Sequence, residues 1–211
     1  MTIVMSSTRI MYGPIFKGND MSRTEKKLQT RQRIVEAAGR GFRKGGFGGI
    51  GVDGLAKEAG VTSGAFYVHF DSKTSAFREA VADGMSGLKS GVLYFQSEHA
   101  GNWWPEFVRF YLGVKRSCDL ADSCTLQSLS PEVARSDASV RTTFEAGLLD
   151  VANAVASGPD SPSAPRDLDA ALAALSLLVG AVTLARATNS ESLSTHIAVA
   201  AESVLLKRAS A

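Results

Sequence analysis

Residues 52–70 read Val52-Asp53-Gly54-Leu55-Ala56-Lys57-Glu58-Ala59-Gly60-Val61-Thr62-Ser63-Gly64-Ala65-Phe66-Tyr67-Val68-His69-Phe70. Val52, Leu55, Ala56 and Ala59 fall at helical spacing and form one apolar face of a two-turn helix. Gly60 suits the left-handed conformation in which helices commonly end. Thr62 offers a hydroxyl as N-cap to a second short helix running to about Phe70. Two short helices around a tight turn at Ala59-Gly60-Val61 make a helix-turn-helix, with Leu55, Ala56 and Val61 as its internal core. In that unit the first helix crosses the DNA backbone and the second enters the major groove. The same residues also fit an ordinary helical hairpin, so the flanking sequence has to decide.

Upstream, Ser22-Arg23-Thr24-Glu25 is a capping box. Leu28, Val35, Ala38 and Phe42 then lie on one helix face, and the helix is predicted to end at Gly45-Gly46. Met21, directly before the box, reads as a translation start, which makes residues 1–21 a flexible N-terminal extension. That segment lacks a basic start, a long apolar core and a small-residue cleavage site, so it does not read as a secretory signal.

Downstream, Asp71-Ser72 opens a long helix through Phe77, Val81, Gly84, Leu88, Val92 and Phe95, ending near Gly101. Further stripes follow at Phe107–Cys118 and Val140–Val155. A Ser/Gly/Pro loop spans 157–163, and the last two helices are predicted over about 165–187 and 193–208. No period-2 strand and no repeat is evident. The expected fold is all-α: a helix-turn-helix domain of three helices over 22–72 and a helical ligand-binding and dimerisation domain over 73–211.

Composition agrees with a packed soluble chain, since 45% of the 211 residues are apolar and 21% charged. The greasiest run, Leu168 to Ala187, carries Asp169, Ser176 and Arg186 and falls short of a continuous membrane span. A cytoplasmic protein with no membrane partner is expected. The net charge of +2 divides unevenly, with +6 over residues 1–80 and −4 over 81–211. A basic front on an acidic remainder places any contact with a polyanion at the front.

Here a family resemblance becomes specific. Gly60-Val61-Thr62-Ser63-Gly64-Ala65-Phe66-Tyr67-Val68-His69-Phe70-Asp71-Ser72-Lys73 resembles the signature of the TetR family of bacterial transcriptional regulators. Arg31–Ala38, Gly45-Gly46-Phe47 and Leu55–Ala59 match its upstream pattern. Gly51 departs from the usual Ser or Thr N-cap, and Gly54 places a poor helix former inside the first motif helix. The resemblance implies a homodimer whose N-terminal domains bind successive major grooves of a palindromic operator in double-stranded DNA. It also implies a C-terminal domain that holds a small-molecule effector and releases DNA when filled, as in a repressor.

Candidate DNA-binding residues are Thr62, Ser63, Gly64, Ala65, Tyr67, His69 and Lys73. The second motif helix contains no Arg, Lys, Asn or Gln, so it lacks bidentate base readers. Thr62 and Ser63 suit phosphate or a base edge, Gly64 permits close approach, and Ala65 suits a thymine methyl. Tyr67, His69 and Lys73 are phosphate contacts in the family pattern. Lys26, Lys27, Arg31, Arg43 and Lys44 would add less specific attraction.

The aromatic-rich middle is the candidate effector pocket: Phe95, Trp104, Phe107, Tyr111, Cys118, Phe144 and Leu148, with Gln96, His99, Arg109 and Gln127 as polar candidates. A plain aromatic core is the alternative. Leu172, Leu175, Val179, Val182, Ile197 and Val204 are the candidate dimer residues, a second helix pair completing a four-helix bundle.

Catalytic, metal and cofactor sites are expected to be absent. Gly46-Phe47-Gly48-Gly49-Ile50-Gly51 fits G-x-G-x-x-G, but a helix rather than a strand precedes it. His69, His99 and His196 share no ligand spacing. Cys118 and Cys124 are six apart and face different ways unless the helix breaks near Asp119. Both read as small buried hydrophobes, with a thiol sensor as the alternative. Two other functions compete with the regulator: a helical interaction module that no longer binds DNA, and an enzyme using the aromatic pocket.

Overall fold

A computed structural model describes residues 22–206 of the chain; the expected N-terminal extension at 1–21 lies outside them. Helix α1 (Arg23–Gly49) starts on the capping box foreseen at Ser22 and Glu25. It does not stop at Gly45-Gly46. It kinks at Gly46, where φ is 72°, and continues for a short turn to Gly49. That extra turn carries Phe47, whose ring packs edge-on against Phe77. Helices α2 (Val52–Glu58) and α3 (Ser63–His69) form the helix-turn-helix against the buried face of α1, where Ile34, Ala38 and Phe42 are fully enclosed.

Helix α4 (Lys73–His99) is the long link. It packs on α1 at one end and on α7 (Ala138–Ala156) along its length. A 3₁₀ turn over Ala100–Asn102 leads into α5 (Trp103–Ser117). A second 3₁₀ turn over Leu120–Asp122 and helix α6 (Thr125–Ala134) follow. The apolar pattern does not announce α6: it is short, it buries a threonine beside Leu126, Leu129 and Val133, and it contains Pro131. The chain does not run on as one helix through Cys118 and Cys124: it breaks after Ser117, and Asp119 caps the 3₁₀ turn by accepting from the Ala121 N–H.

Helices α8 (Leu168–Ala187) and α9 (Glu191–Leu206) form a pair against α5. Both begin slightly away from their expected starts, α8 after an Asp167 cap and α9 two residues before Leu193. Helix α8 is long and apolar enough to cross a membrane, with a mean hydropathy of 2.0. It is nonetheless packed against α5, α6, α7 and α9. Arg186 near its end donates to the Lys115 and Cys118 carbonyls and to the Cys118 sulfur.

The described residues are mostly helical and include no strand, and the fold class is all-α. Gly84 on α4 sets one close approach: a Cβ there would sit 2.0 Å from the Thr125 hydroxyl oxygen. Gly84 is what lets α6 seat against α4.

Candidate nucleic-acid interface

The turn between α2 and α3 closes through two backbone bonds, Val61 N–H to the Ala56 carbonyl at 2.9 Å and Gly60 N–H to the Lys57 carbonyl at 3.1 Å. These are the 6→1 and 5→2 bonds of a Schellman motif, and Gly60 holds the required left-handed conformation with φ of 67°. Thr62 caps α3 by accepting from the Ala65 N–H at 3.1 Å. Gly51 gives α2 no side-chain cap, as its lack of a hydroxyl dictates. A different bond compensates across the corner, where the Ser63 hydroxyl donates to the Asp53 carboxylate at 2.5 Å.

Phe66 and Phe70 anchor α3 from below, fully buried with ring centroids 5.5 Å apart. The Arg31 guanidinium lies 4.7 Å over the Phe70 ring. The outer face of α3 carries Gly64, Tyr67 and Val68, all exposed. Ser63, Ala65 and His69 are half-buried at its edges, and Thr62 is exposed at its start.

His69 and Lys73 flank this face. His69 Nδ1 is buried without a hydrogen-bond partner. Desolvation, with the neighbouring cations Lys27 and Arg31, pulls the ring's pKa below its usual value of 6.5. Lys73, the first residue of α4, holds its Nζ 4.4 Å from the Phe47 ring centroid. The six-residue glycine-rich stretch thus places an aromatic platform under a lysine.

Two of the expected auxiliary cations are committed elsewhere. Arg31 pairs with Glu79 through both guanidinium nitrogens. Arg43 is turned inward, donating from Nε to the Ala121 carbonyl at 2.8 Å and reaching the Thr125 hydroxyl at 3.4 Å. Its burial lowers its proton affinity, partly offset by Asp122. Arg40 pairs with Asp122 beside it. Neither Arg43 nor Arg31 is a free phosphate ligand. These contacts join α1 to the turn before α6, a link that residue spacing gave no means to foresee.

The other candidate residues are also placed. Phe95, Trp104, Phe107 and Tyr111 form a chain of ring contacts with centroids 5.6–5.9 Å apart. All four are 7% exposed or less, so they are packed against one another and line no open cleft. Phe144 and Leu148 are half-buried on α7, and Cys118 is half-buried at the end of α5. Gln96 bonds to the Ala154 carbonyl, Arg109 pairs with Glu106 and Glu202, and the exposed His99 stacks on Phe95.

Burial also divides the candidate dimer residues. Leu175 and Val182 are 2% and 1% exposed and face the chain's own core, because α8 turns that side toward its neighbouring helices. They cannot lie on an outer contact. Val204 is exposed, and Leu172, Val179 and Ile197 are half-buried. Leu184, Leu193 and Val199 are also exposed on α8 and α9.

The model of the family described as bacterial regulatory proteins, tetR family, matches residues 34–80, the segment that contains this corner and the start of α4. Over this segment the chain matches the TetR family. Its match to the uncharacterized HTH-type transcriptional regulator YdgC of Bacillus subtilis is 36% identical over 58 residues, 28% of this chain and 30% of that one. The match to the HTH-type transcriptional regulator AcrR of Shigella flexneri is 35% identical over 74 residues, 35% and 34% of the two chains. The chain thus aligns with about a third of the length of these curated relatives. The likeness of fold extends further. The TetR-family regulator structure from Cytophaga hutchinsonii superposes with a TM-score of 0.69 at 20% identity, covering 89% of this chain and 96% of that one. The reduced form of E. coli NemR gives 0.67 at 20% identity, covering 84% and 95%.

Proposed function

We propose that this TetR-family chain is a dimeric, ligand-responsive transcriptional repressor of the cytoplasm, released from a palindromic operator by a small molecule. Residues 22–72 are its DNA-binding unit, and residues 73–211 hold the effector and the dimer contact. The observation that carries the DNA-binding part is the α3 corner. Buried Phe66 and Phe70 and the Schellman turn fix a helix whose Gly64, Tyr67 and Val68 face stays open. The basic balance of residues 1–80 supports a polyanionic partner for it.

Three buried polar atoms support an effector site among the C-terminal helices. Trp104 Nε1, the Tyr111 hydroxyl and Gln127 Oε1 have no hydrogen-bond partner. The Cys124 sulfur beside Tyr111 is too weak an acceptor to satisfy the phenol, and burial keeps that phenol protonated by raising its pKa well above 10.0. Each unpaired buried group costs about 1–3 kcal/mol, which a ligand entering between the rings would recover. Exposed Leu184, Leu193, Val199 and Val204 on α8 and α9 support a helix-pair dimer contact.

A gel shift on duplexes from the chain's own upstream region, at two salt concentrations, tests the first part. Retention that weakens with salt supports it, and no retention favours the interaction module. Sedimentation of the wild type and of a Val204→Arg variant tests the dimer. A wild-type monomer at micromolar concentration that still bound a palindrome tightly would contradict it.

A further inference from the structure

The groups that would ordinarily read bases are missing or partly engaged within the chain on α3. Ser63 spends its proton on Asp53, and the Thr62 oxygen accepts the cap bond while keeping one proton to donate. No Arg, Lys, Asn or Gln lies between Ser63 and His69. What the helix offers instead is Val68, 66% exposed and the most exposed large apolar side chain among the described residues. Valine is a poor helix former, and this one buries little apolar surface within the chain. Side chains on a helix lean toward its N-terminus and cover the turn before them. The turn before Val68 holds Gly64, where a Cβ would meet nothing closer than the Thr62 hydroxyl oxygen at 3.9 Å. Two methyl groups therefore stand over a bare turn on the outer face of α3.

Resting on the DNA-binding reading above, we infer that Val68 is a specificity-determining residue that recognises the C5-methyl group of thymine in the major groove. The methyl is the one apolar mark on a major-groove base edge. Gly64 gives it room. The half-site is read by shape and methyl position rather than by hydrogen bonds to purines.

The test starts from a site selected by the full chain from random duplexes. Each thymine of the half-site is then replaced by deoxyuridine, which removes only the methyl. Wild type is expected to bind about fourfold more weakly when the methyl facing Val68 is removed, the worth of one buried methyl group. Val68→Ala is expected to bind alike the two duplexes that differ only in the methyl facing position 68, while melting at the wild-type temperature. Equal binding of all thymine and deoxyuridine duplexes by wild type overturns the inference. So does Val68→Ala that still discriminates. Both outcomes leave DNA binding itself intact. Failure to select any duplex overturns this inference and the DNA-binding reading together, and points to a protein partner for the α3 face.

Discussion

The corner at residues 52–72 and the segment at residues 118–134 are held by contacts of very different reach. In the corner, Gly60 bonds three residues back, Val61 five, Ala65 to the Thr62 cap and Ser63 to Asp53 ten residues away. The second segment is anchored across 78 residues by Arg43 to Ala121, across 82 by Arg40 to Asp122, and across 68 by Arg186 to Cys118. A corner whose turn and caps are closed by local bonds keeps its internal geometry once it is packed on α1, which suits a reading head. The second segment has local bonds too, such as Ala121 N–H to Asp119, but its distant anchors tie it to α1 and α8, so it moves when they move, as the proposed coupling between the two parts of the chain requires.

That contrast is open to attack by substitution. Gly84→Ala should have the largest effect, because the new Cβ meets Thr125 at 2.0 Å and α6 must shift. A loss of about 3 kcal/mol in chemical denaturation is expected, at the upper end of overpacking costs, and Thr125→Ala in the same chain should restore part of it. Arg43→Ala should follow, at about 2 kcal/mol for charge-assisted bonds to buried acceptors. Faster hydrogen exchange should then spread to both α1 and residues 118–134. Thr62→Ala should cost about 1 kcal/mol, typical of a lost N-cap, with faster exchange confined to α3. If Thr62→Ala loosened residues 118–134 as much as Arg43→Ala does, the division into local and distant anchoring would fail.

The same division explains what was legible in the residues themselves. Ser22 with Glu25, Gly60 and Thr62 announce their helix ends because the bonds they make are to near neighbours. Helix α6 is not announced because Thr125 and Pro131 carry no helical signal, and packing on α1, α4, α7 and α8 holds the segment in place. The stripe Leu172, Leu175, Val179 and Val182 was correctly helical, but periodicity cannot say whether a face meets its own chain or another. Leu175 and Val182 meet their own. Val68 escaped notice because an apolar residue beside Phe66 and Tyr67 reads as core until its exposure is known.

A smaller effect concerns pH. With its pKa below 6.5 in the free protein, His69 is mostly neutral at pH 7. A DNA phosphate beside the ring would raise that pKa, so binding takes up a proton. Affinity should rise as pH falls through the DNA-bound pKa and level off below the lowered pKa of the free protein. Anisotropy titrations of wild type and His69→Gln between pH 5.5 and 8 check this, as about limits set around the ordinary histidine pKa. The variant should give a flatter profile, and identical profiles would remove His69 from the phosphate contacts.

The central claim, that the corner around α3 grips DNA, is tested most directly by the salt dependence of binding to a selected duplex. Fluorescence anisotropy at about 50 to 200 mM salt should give a steep linear fall of log affinity with log salt. Lys73→Ala, which removes the cation held over Phe47, should weaken all duplexes alike and make the slope shallower by about 1. Affinity that is insensitive to salt, or a Lys73→Ala variant with wild-type affinity and slope, would contradict the account.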